Sequence, residues 1–369
     1  MSAFEPAHVD YVVPPPSEAA DALEYVLGVV SDPANALLLA GGTLAALLAL
    51  AGATYARGRV PDLAVLADTL DGYRDLVPWM LRLSVGLPTL GAGFAGYYLS
   101  PAVPTGSVSE ALTAAYPDVL APLVAPPVVR LLLIGVGFAL LTGFLTRATA
   151  AVGALLWLTV VPVAPDLLLA MEYPVLFGAL VLTGGGRPSA DEMFARVAQA
   201  EGTYYRRIDP LGEWPRRVRT ALIPARRYLP TLLRVGLGGA FVFLGVTQKL
   251  LDPARAALVV EKYGLTGVVP VEPGMWVVGA GLTEAGLGLL LLAGLFTRGG
   301  AALAFVVLTT TLFGLPDDPV LAHVSVFGLA SAVFTLGAGP LSLDRLLADR
   351  LASRGDAGRA EGDPAATGD

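Results

Sequence analysis

The sequence predicts an all-α integral membrane protein of about nine transmembrane helices, one N-terminal span followed by two tandem four-helix bundles in parallel orientation. Three observations predict it. The 369 residues are 55% hydrophobic with a mean hydropathy of +0.67, and only 15% are charged, against about a quarter in soluble domains. Apolar runs of about 18–22 residues recur along the chain, and each can cross a hydrocarbon core about 30 Å thick. The chain also repeats itself. LVPWMLRLSVGLPTLGAGFAGYYLSP (76–101) aligns without a gap on YLPTLLRVGLGGAFVFLGVTQKLLDP (228–253), so that Pro78, Arg82, Gly86, Leu99 and Pro101 fall on Pro230, Arg234, Gly238, Leu251 and Pro253, 152 positions on. LTGFLTRATAA (141–151) then falls on LAGLFTRGGAA (292–302) at a spacing of 151.

Taken in order, residues 1–34 hold six acidic groups and no Lys or Arg. They read as an acidic extracytoplasmic segment, without the basic start of a signal peptide. Region 35–75 holds the extra span, 35–56, and then VPDLAVLADTLDGYRDL (60–76). The latter puts Leu63, Leu66, Leu70 and Tyr73 on one stripe, an amphipathic helix suited to the inner membrane surface. Region 76–195 is the first, diverged bundle, with spans at 77–99, 127–145, 148–165 and 167–184. A basic cytoplasmic linker with helical stretches, 196–227, leads to the second bundle, 228–350, with spans at 229–250, 274–296, 299–316 and 319–337. Tilted or re-entrant helices remain open at 165–184 and 316–337. The tail 351–369, rich in Gly, Ala, Asp and Glu, reads as disordered.

Charge sets the orientation. The loop 100–126 lacks Lys and Arg, like the N-terminal segment, whereas Arg57, Arg59, Arg74, Arg147, nine arginines from Arg187 to Arg227, Arg298, Arg345, Arg350 and Arg354 fall on the opposite side. By the positive-inside rule the N-terminus lies outside and the C-terminus in the cytoplasm of a multi-pass cell-membrane protein. Segment 251–273 is the exception, with Arg255 and Lys262 offset by Asp252, Glu261 and Glu272. Each repeat has an even number of helices, so the two share one orientation and a pseudo-two-fold axis along the membrane normal.

The composition also excludes chemistries. No cysteine means no thiol exchange, iron–sulfur ligation or thiolate metal site in this chain alone. Two histidines, His8 and His323, are too few and too separate for a bis-histidine haem, and no metal site is expected. The glycines follow no phosphate-loop pattern, and nothing suggests nucleic-acid binding.

The second repeat places ionisable residues where a bilayer makes them costly. Glu284 lies nine residues into its span from Met275, roughly 14 Å deep at 1.5 Å per residue, near mid-membrane. The matching residue of the first repeat is Leu133, so the fold does not demand an acid there. Lys249 closes the sixth span at the outer face with Gln248 beside it, and His323 lies just inside the last span. These align on Tyr97, Gly96 and Glu172. The topology brings Lys249, Glu284 and His323 to the outer half of one bundle, where an amine would hold the carboxylate ionised and an imidazole could relay protons. Gln248 and Thr283 are candidates to bind a ligand there. Blander readings stand beside these: a neutral acid bonded to a neighbouring helix for Glu284, a snorkelling amine for Lys249, a helix-end hydrogen bond for His323. Arg82 and Arg234, retained in both repeats, read as architecture, as do Arg147 and Arg298 in the tight turns and the acids Asp191 and Asp344 that close each repeat.

The residues around Lys249, the TEAGLGLLLLAGLFTRGGAA segment with Glu284, Thr297 and Arg298, His323, and GAGPLSLDRLL with Asp344 resemble the DoxX family of four-helix membrane modules. The first repeat resembles a diverged copy that keeps LTGFLTRATAA and Asp191. The resemblance implies an accessory subunit of, or partner to, a quinone-linked membrane oxidoreductase in respiration or sulfur and thiol oxidation, with quinone as a ligand and no intrinsic cofactor. Its partners would be the lipid bilayer and other oxidoreductase subunits. Two other readings remain open, a small-molecule or ion carrier with Glu284 as coupling site, and a purely structural subunit.

Overall fold

The computed structural model describes residues 19–56, 59–115, 121–204, 213–317 and 319–350. The beginning of the acidic segment and the tail 351–369 lie outside the described residues.

Two helices come first, α1 (Ala19–Ser31) and α2 (Pro33–Ala56). Asp32 between them accepts from the amides of Ala34 and Asn35 at 2.9 and 3.1 Å, which starts α2. α2 is apolar on every side, and within it only Asn35 is buried by protein, as expected of a helix that meets lipid. Next comes α3 (Pro61–Gly72), in which Leu70 is buried while Leu63 and Leu66 remain about half exposed. Its end is tied to the rest by Asp71, 2.5 Å from the Arg298 guanidinium.

A first set of helices follows: α4 (Val77–Ala95), then, after a short connection, α5 (Thr105–Ala115), α6 (Ala121–Val124), α7 (Pro126–Thr142), α8 (Thr146–Val160) and α9 (Glu172–Thr183). α4 packs on α7, α7 on α8, α8 on α9, and α9 back on α4, a closed ring of four. Amphipathic α10 (Ala190–Gln199) and α11 (Glu213–Arg226) link it to the second set. This begins with α12 (Leu229–Gly245), which runs into one π-helical turn, Val246–Leu250. It continues through α13 (Pro253–Lys262), α14 (Pro273–Ala293), α15 (Thr297–Gly314) and α16 (Val320–Leu336). Here α12 packs on α14, α14 on α15, α15 on α16, and α16 on α12. The sets meet where α4 lies against α16 and α9 against α12, and one apolar core runs through both.

Among the described residues, four helical stretches are long and apolar enough to cross a membrane, Pro33–Ala56, Leu229–Leu250, Pro273–Ala293 and Thr297–Gly314, while α7, α8, α9 and α16 are apolar but shorter. In lipid a helix satisfies its own backbone groups, which suits such sequences to this role. The chain is all-α as expected, and one span boundary is corrected. The span drawn to residue 99 ends at Ala95, and a two-stranded antiparallel hairpin, β1 (Tyr97–Tyr98) with β2 (Ser100–Pro104), follows. Gly96 at φ 89° and Leu99 at φ 59° turn the backbone left-handed, and Pro101 and Pro104 cannot continue a helix. Arg130 closes the open end of α4 by donating to the carbonyls of Gly93 and Phe94 at 2.9 and 2.7 Å.

The closest crossings rest on glycine pairs. A Cβ on Gly238 would stand 2.7 Å from the Gly288 carbonyl oxygen, and one on Gly288 would stand 2.6 Å from that of Gly238. A Cβ on Gly137 would likewise stand 2.8 Å from the Gly86 oxygen. Backbone against backbone leaves nothing flexible to yield. Gly288→Val is therefore expected to destabilise the protein by about 2–3 kcal/mol, the upper range for overpacking. Gly286→Ala, with open space around it, is expected to melt as the wild type does in the same detergent. Thermal unfolding of the two variants side by side checks this.

Candidate functional site

The second set contains a cavity of about 720 Å³, within the usual range for a small-molecule site. Its floor is built where α12 ends. A Cβ on Gly245 would stand 2.8 Å from the Ala285 amide nitrogen and 3.0 Å from the Glu284 Cβ, and one on Gly281 would stand 2.9 Å from the Leu250 Cγ. Two glycines thus let the end of α12 close onto α14. The chain then makes its π turn, and an added residue per turn re-aims the side chains that follow; such turns recur at functional sites. Lys249, on this turn, donates from Nζ to Glu284 Oε2 at 2.7 Å. Lys249 and Glu284 stay 26% and 15% exposed and both line the cavity. The acid and the amine expected from sequence are thus a formed ion pair.

Gln248 and Thr283 line the same cavity. So does Arg255, whose Nε lies 3.0 Å from Asp252 Oδ2, while Asp252 Oδ1 caps α13 by accepting from the Arg255 amide. Most of the remaining wall is apolar, including Val259, Val268, Met275 and Val307. Leu38 of α2 adds to it, so the N-terminal helix borders the site. Sequence reasoning left Arg255 on the outer loop and missed Trp276 altogether. Trp276 lines the cavity one turn into α14, and an uncharged residue outside any motif gives no sequence signal.

His323 does not line this cavity. It stands in the first turn of α16, its Nδ1 3.2 Å from the Pro319 carbonyl oxygen. The structure therefore brings together Lys249, Glu284, Gln248 and Thr283, and not the imidazole. Its alignment with Glu172 is also corrected. The ends of α9 and α16 correspond at a spacing of 153, Gly184 to Gly337 and Asp191 to Asp344, because two more residues stand between the second tight turn and that end. On this register Glu172 matches Ser325. Those two residues meet: Ser325 Oγ donates to Glu172 Oε1 at 2.7 Å, with Glu172 4% exposed between the two sets.

The four arginines and two acids expected to be architectural occupy matching places. Arg82 donates to the carbonyls of Leu140, Leu141, Gly185 and Pro188, at 2.5–3.0 Å. Arg234 donates to those of Leu291, Leu292, Ala338 and Leu341, at 2.5–3.1 Å. Each guanidinium ties the C-terminal end of one helix, where the dipole favours a cation, to the segment that follows another. Asp191 accepts from the Leu145 and Thr146 amides at 2.7 and 2.9 Å, and Asp344 from those of Phe296 and Thr297 at 2.8 and 2.9 Å. Both acids thereby hold a residue in the left-handed region, Leu145 at φ 46° and Phe296 at φ 53°. Arg147 binds the carbonyls of Val181 and Thr183, and Arg298 those of Phe334 and Thr335. These side chains point into protein rather than toward lipid phosphate.

Comparison with known proteins agrees with the second set's sequence pattern. Residues 229–317 match the model of the DoxX family, a stretch that contains Arg234, Gln248, Lys249, Thr283, Glu284 and Arg298 and stops before His323 and Asp344. No curated protein and no solved structure matches the chain. The likeness to DoxX thus covers about a quarter of the chain, within the second set, and includes helices long and apolar enough to cross a membrane.

Proposed function

We propose that this protein is a DoxX-type membrane subunit that binds a quinone head group beside Lys249 and Glu284 and serves a quinone-linked oxidoreductase in the same membrane. The observation that carries the reading is the ion pair itself, set at the wall of an apolar cavity of about 720 Å³. A carboxylate and an ammonium in mid-bundle are costly unless they serve a purpose, and the first set manages with Tyr97 and Leu133 at the matching positions. The cavity residues suit a quinone. Flat apolar rings fit the valine-rich wall, Lys249 and Gln248 offer donors to a carbonyl oxygen, and Glu284 offers a place for a proton. A quinone, when bound, supplies the capacity to accept and return electrons with protons; the chain's own residues bind and orient it, and a proton would go to Glu284 Oε1, since Oε2 already accepts from Lys249 Nζ. Electrons come from a partner subunit or from the quinone pool.

In this reading the chain is two copies of one four-helix module after an N-terminal span, nine spans in all, with the N-terminus outside and the C-terminus in the cytoplasm. The matched arginine cradles, matched acid caps and the two identical rings of helix contacts support the duplication. The pairing of α4 with α16 and of α9 with α12 is what a two-fold axis along the membrane normal would produce. The basic linker and its neighbours support the orientation.

Menadione titrated onto the purified protein in detergent is expected to bind. Lys249→Met and Glu284→Gln are each expected to weaken that binding about 10–100-fold, the worth of a hydrogen bond to a charged group. Equal affinity in wild type and both variants would remove the pair from the site. A wild-type protein that binds neither menadione nor a short-chain ubiquinone would remove the quinone.

A further inference from the structure

The two tight turns carry matching arginines that keep opposite company. Arg298 donates to the carbonyls of Phe334 and Thr335 and pairs with an acid, Asp71, at 2.5 Å. Its counterpart Arg147 meets cations instead. Arg147 donates to the Val181 and Thr183 carbonyls at 3.0 and 3.1 Å. Arg226, the last residue of α11, donates to those of Leu182 and Thr183 at 3.1 and 3.2 Å. Two guanidiniums thus share the end of α9, whose dipole offers only about half a negative charge. Arg219 stands near enough for its like charge to act on Arg147 as well. The acid that acts on Arg147, Asp191, already accepts from the Leu145 and Thr146 amides, and Glu192 is taken by Arg187 and Arg196. Among the described residues, neither Arg219 nor Arg226 has an acid as partner.

The stretch 214–228 holds five arginines and no acid. Within it Arg219, Ile223 and Arg226 stand at i, i+4 and i+7, on one face of α11. Arg219 is exposed, Arg226 is partly exposed, and Ile223 between them is 56% exposed. Arg226 reaches α9 through Nε and Nη2, which leaves Nη1 to donate elsewhere. A bare apolar side chain between two cations suits a ligand with an anionic head and a hydrocarbon body. Next to them Arg227 lies over the Tyr228 ring, 4.7 Å from its centroid, and donates to its hydroxyl at 2.8 Å. Such aromatic residues favour the headgroup layer.

We propose that Arg219 and Arg226 bind the phosphate of an anionic phospholipid, with Ile223 against the start of its acyl chains. Arg147 stays on its carbonyls and adds charge without touching the lipid. The phosphate supplies to the first set the negative charge that Asp71 supplies to the second. The site stands whether or not a quinone occupies the Lys249–Glu284 cavity.

The test is isothermal titration of the whole protein, in a non-ionic detergent, with dioctanoyl phosphatidylglycerol, dioctanoyl phosphatidylcholine and inorganic phosphate. Phosphatidylglycerol is expected to bind at least tenfold more tightly than either of the others, and more weakly as salt is added. Arg219→Gln, an exposed change that spares the carbonyl bonds, is expected to weaken it about fivefold, the worth of one basic residue beside an anionic surface. Arg219→Gln with Arg226→Gln is expected to weaken it about 20-fold or more. Arg187→Gln with Arg196→Gln removes two charges at the Glu192 pairings and is expected to leave the affinity unchanged. Equal phosphatidylglycerol affinity in wild type and Arg219→Gln overturns the proposal. So does an equal loss in the Arg187 and Arg196 pair, because net charge alone would do that. Phosphatidylcholine bound as tightly as phosphatidylglycerol overturns it too, and inorganic phosphate bound as tightly makes the site one for a free anion and not for a lipid.

Discussion

Arg234→Met is expected to lose about 3–5 kcal/mol of stability in detergent, enough to lower the melting temperature by about 5 °C for a chain of this length. The guanidinium is 1% exposed and donates to four carbonyl oxygens, from Leu291, Leu292, Ala338 and Leu341. Methionine fills much of the volume and takes the guanidinium donors from all four acceptors; Leu291 keeps the Gly294 amide at 3.0 Å, and Leu292, Ala338 and Leu341 lose the arginine that bonds them. Unmade bonds at buried carbonyls cost more than the bonds themselves contribute. Arg234→Lys is expected to recover less than half, because one ammonium on a flexible stem cannot replace a planar fork that reaches one helix end and the segment that follows another. Arg196→Ala, on an exposed side chain that pairs with Glu192, should change stability by less than about 0.5 kcal/mol. Fluorescence-detected melting of the three variants reads all of this. An Arg234→Met protein that melts with the wild type would mean that the cradle is ornament to the fold.

The same residues show what the sequence made legible. Arg82 and Arg234 recur at one spacing within long apolar runs, and an arginine kept twice at such depth needs a protein partner; the carbonyl cradle is that partner. Lys249 and Glu284 lie 35 positions apart, and topology alone brings them to one side of one bundle, where they meet at 2.7 Å. The hairpin after α4 was hidden because apolar runs measure hydrophobic length and not backbone hand, which Gly96 and Leu99 decide. Depth alone places His323 beside the pair, but depth does not fix which residues line a cavity, and His323 is not among those that line this one. Two residues added before the end of α16 moved the register, and so Glu172 found its counterpart in Ser325 rather than in His323. Trp276 carries no charge and follows no motif. Its place at the cavity wall is a product of packing that no linear pattern records.

Lys249→Met and Glu284→Leu are each expected to destabilise the protein by about 2–3 kcal/mol, and the double variant by much less than the two together. Either single change leaves one unpaired charge against an apolar wall, where the environment cannot solvate it. Removing both leaves hydrocarbon against hydrocarbon, which is how the first set already manages with Leu133, 1% exposed, at the position matching Glu284. A coupling energy of about 1–3 kcal/mol in the cycle would establish that the pair acts as a unit. The double variant has a second use. If it folds as the wild type does yet no longer binds menadione, stability and binding have been separated, and the pair is retained for what it holds rather than for what it supports. A double variant less stable than either single would reverse that conclusion, because the ion pair would then be a structural staple of the second set and the first set's lack of one would need a different account.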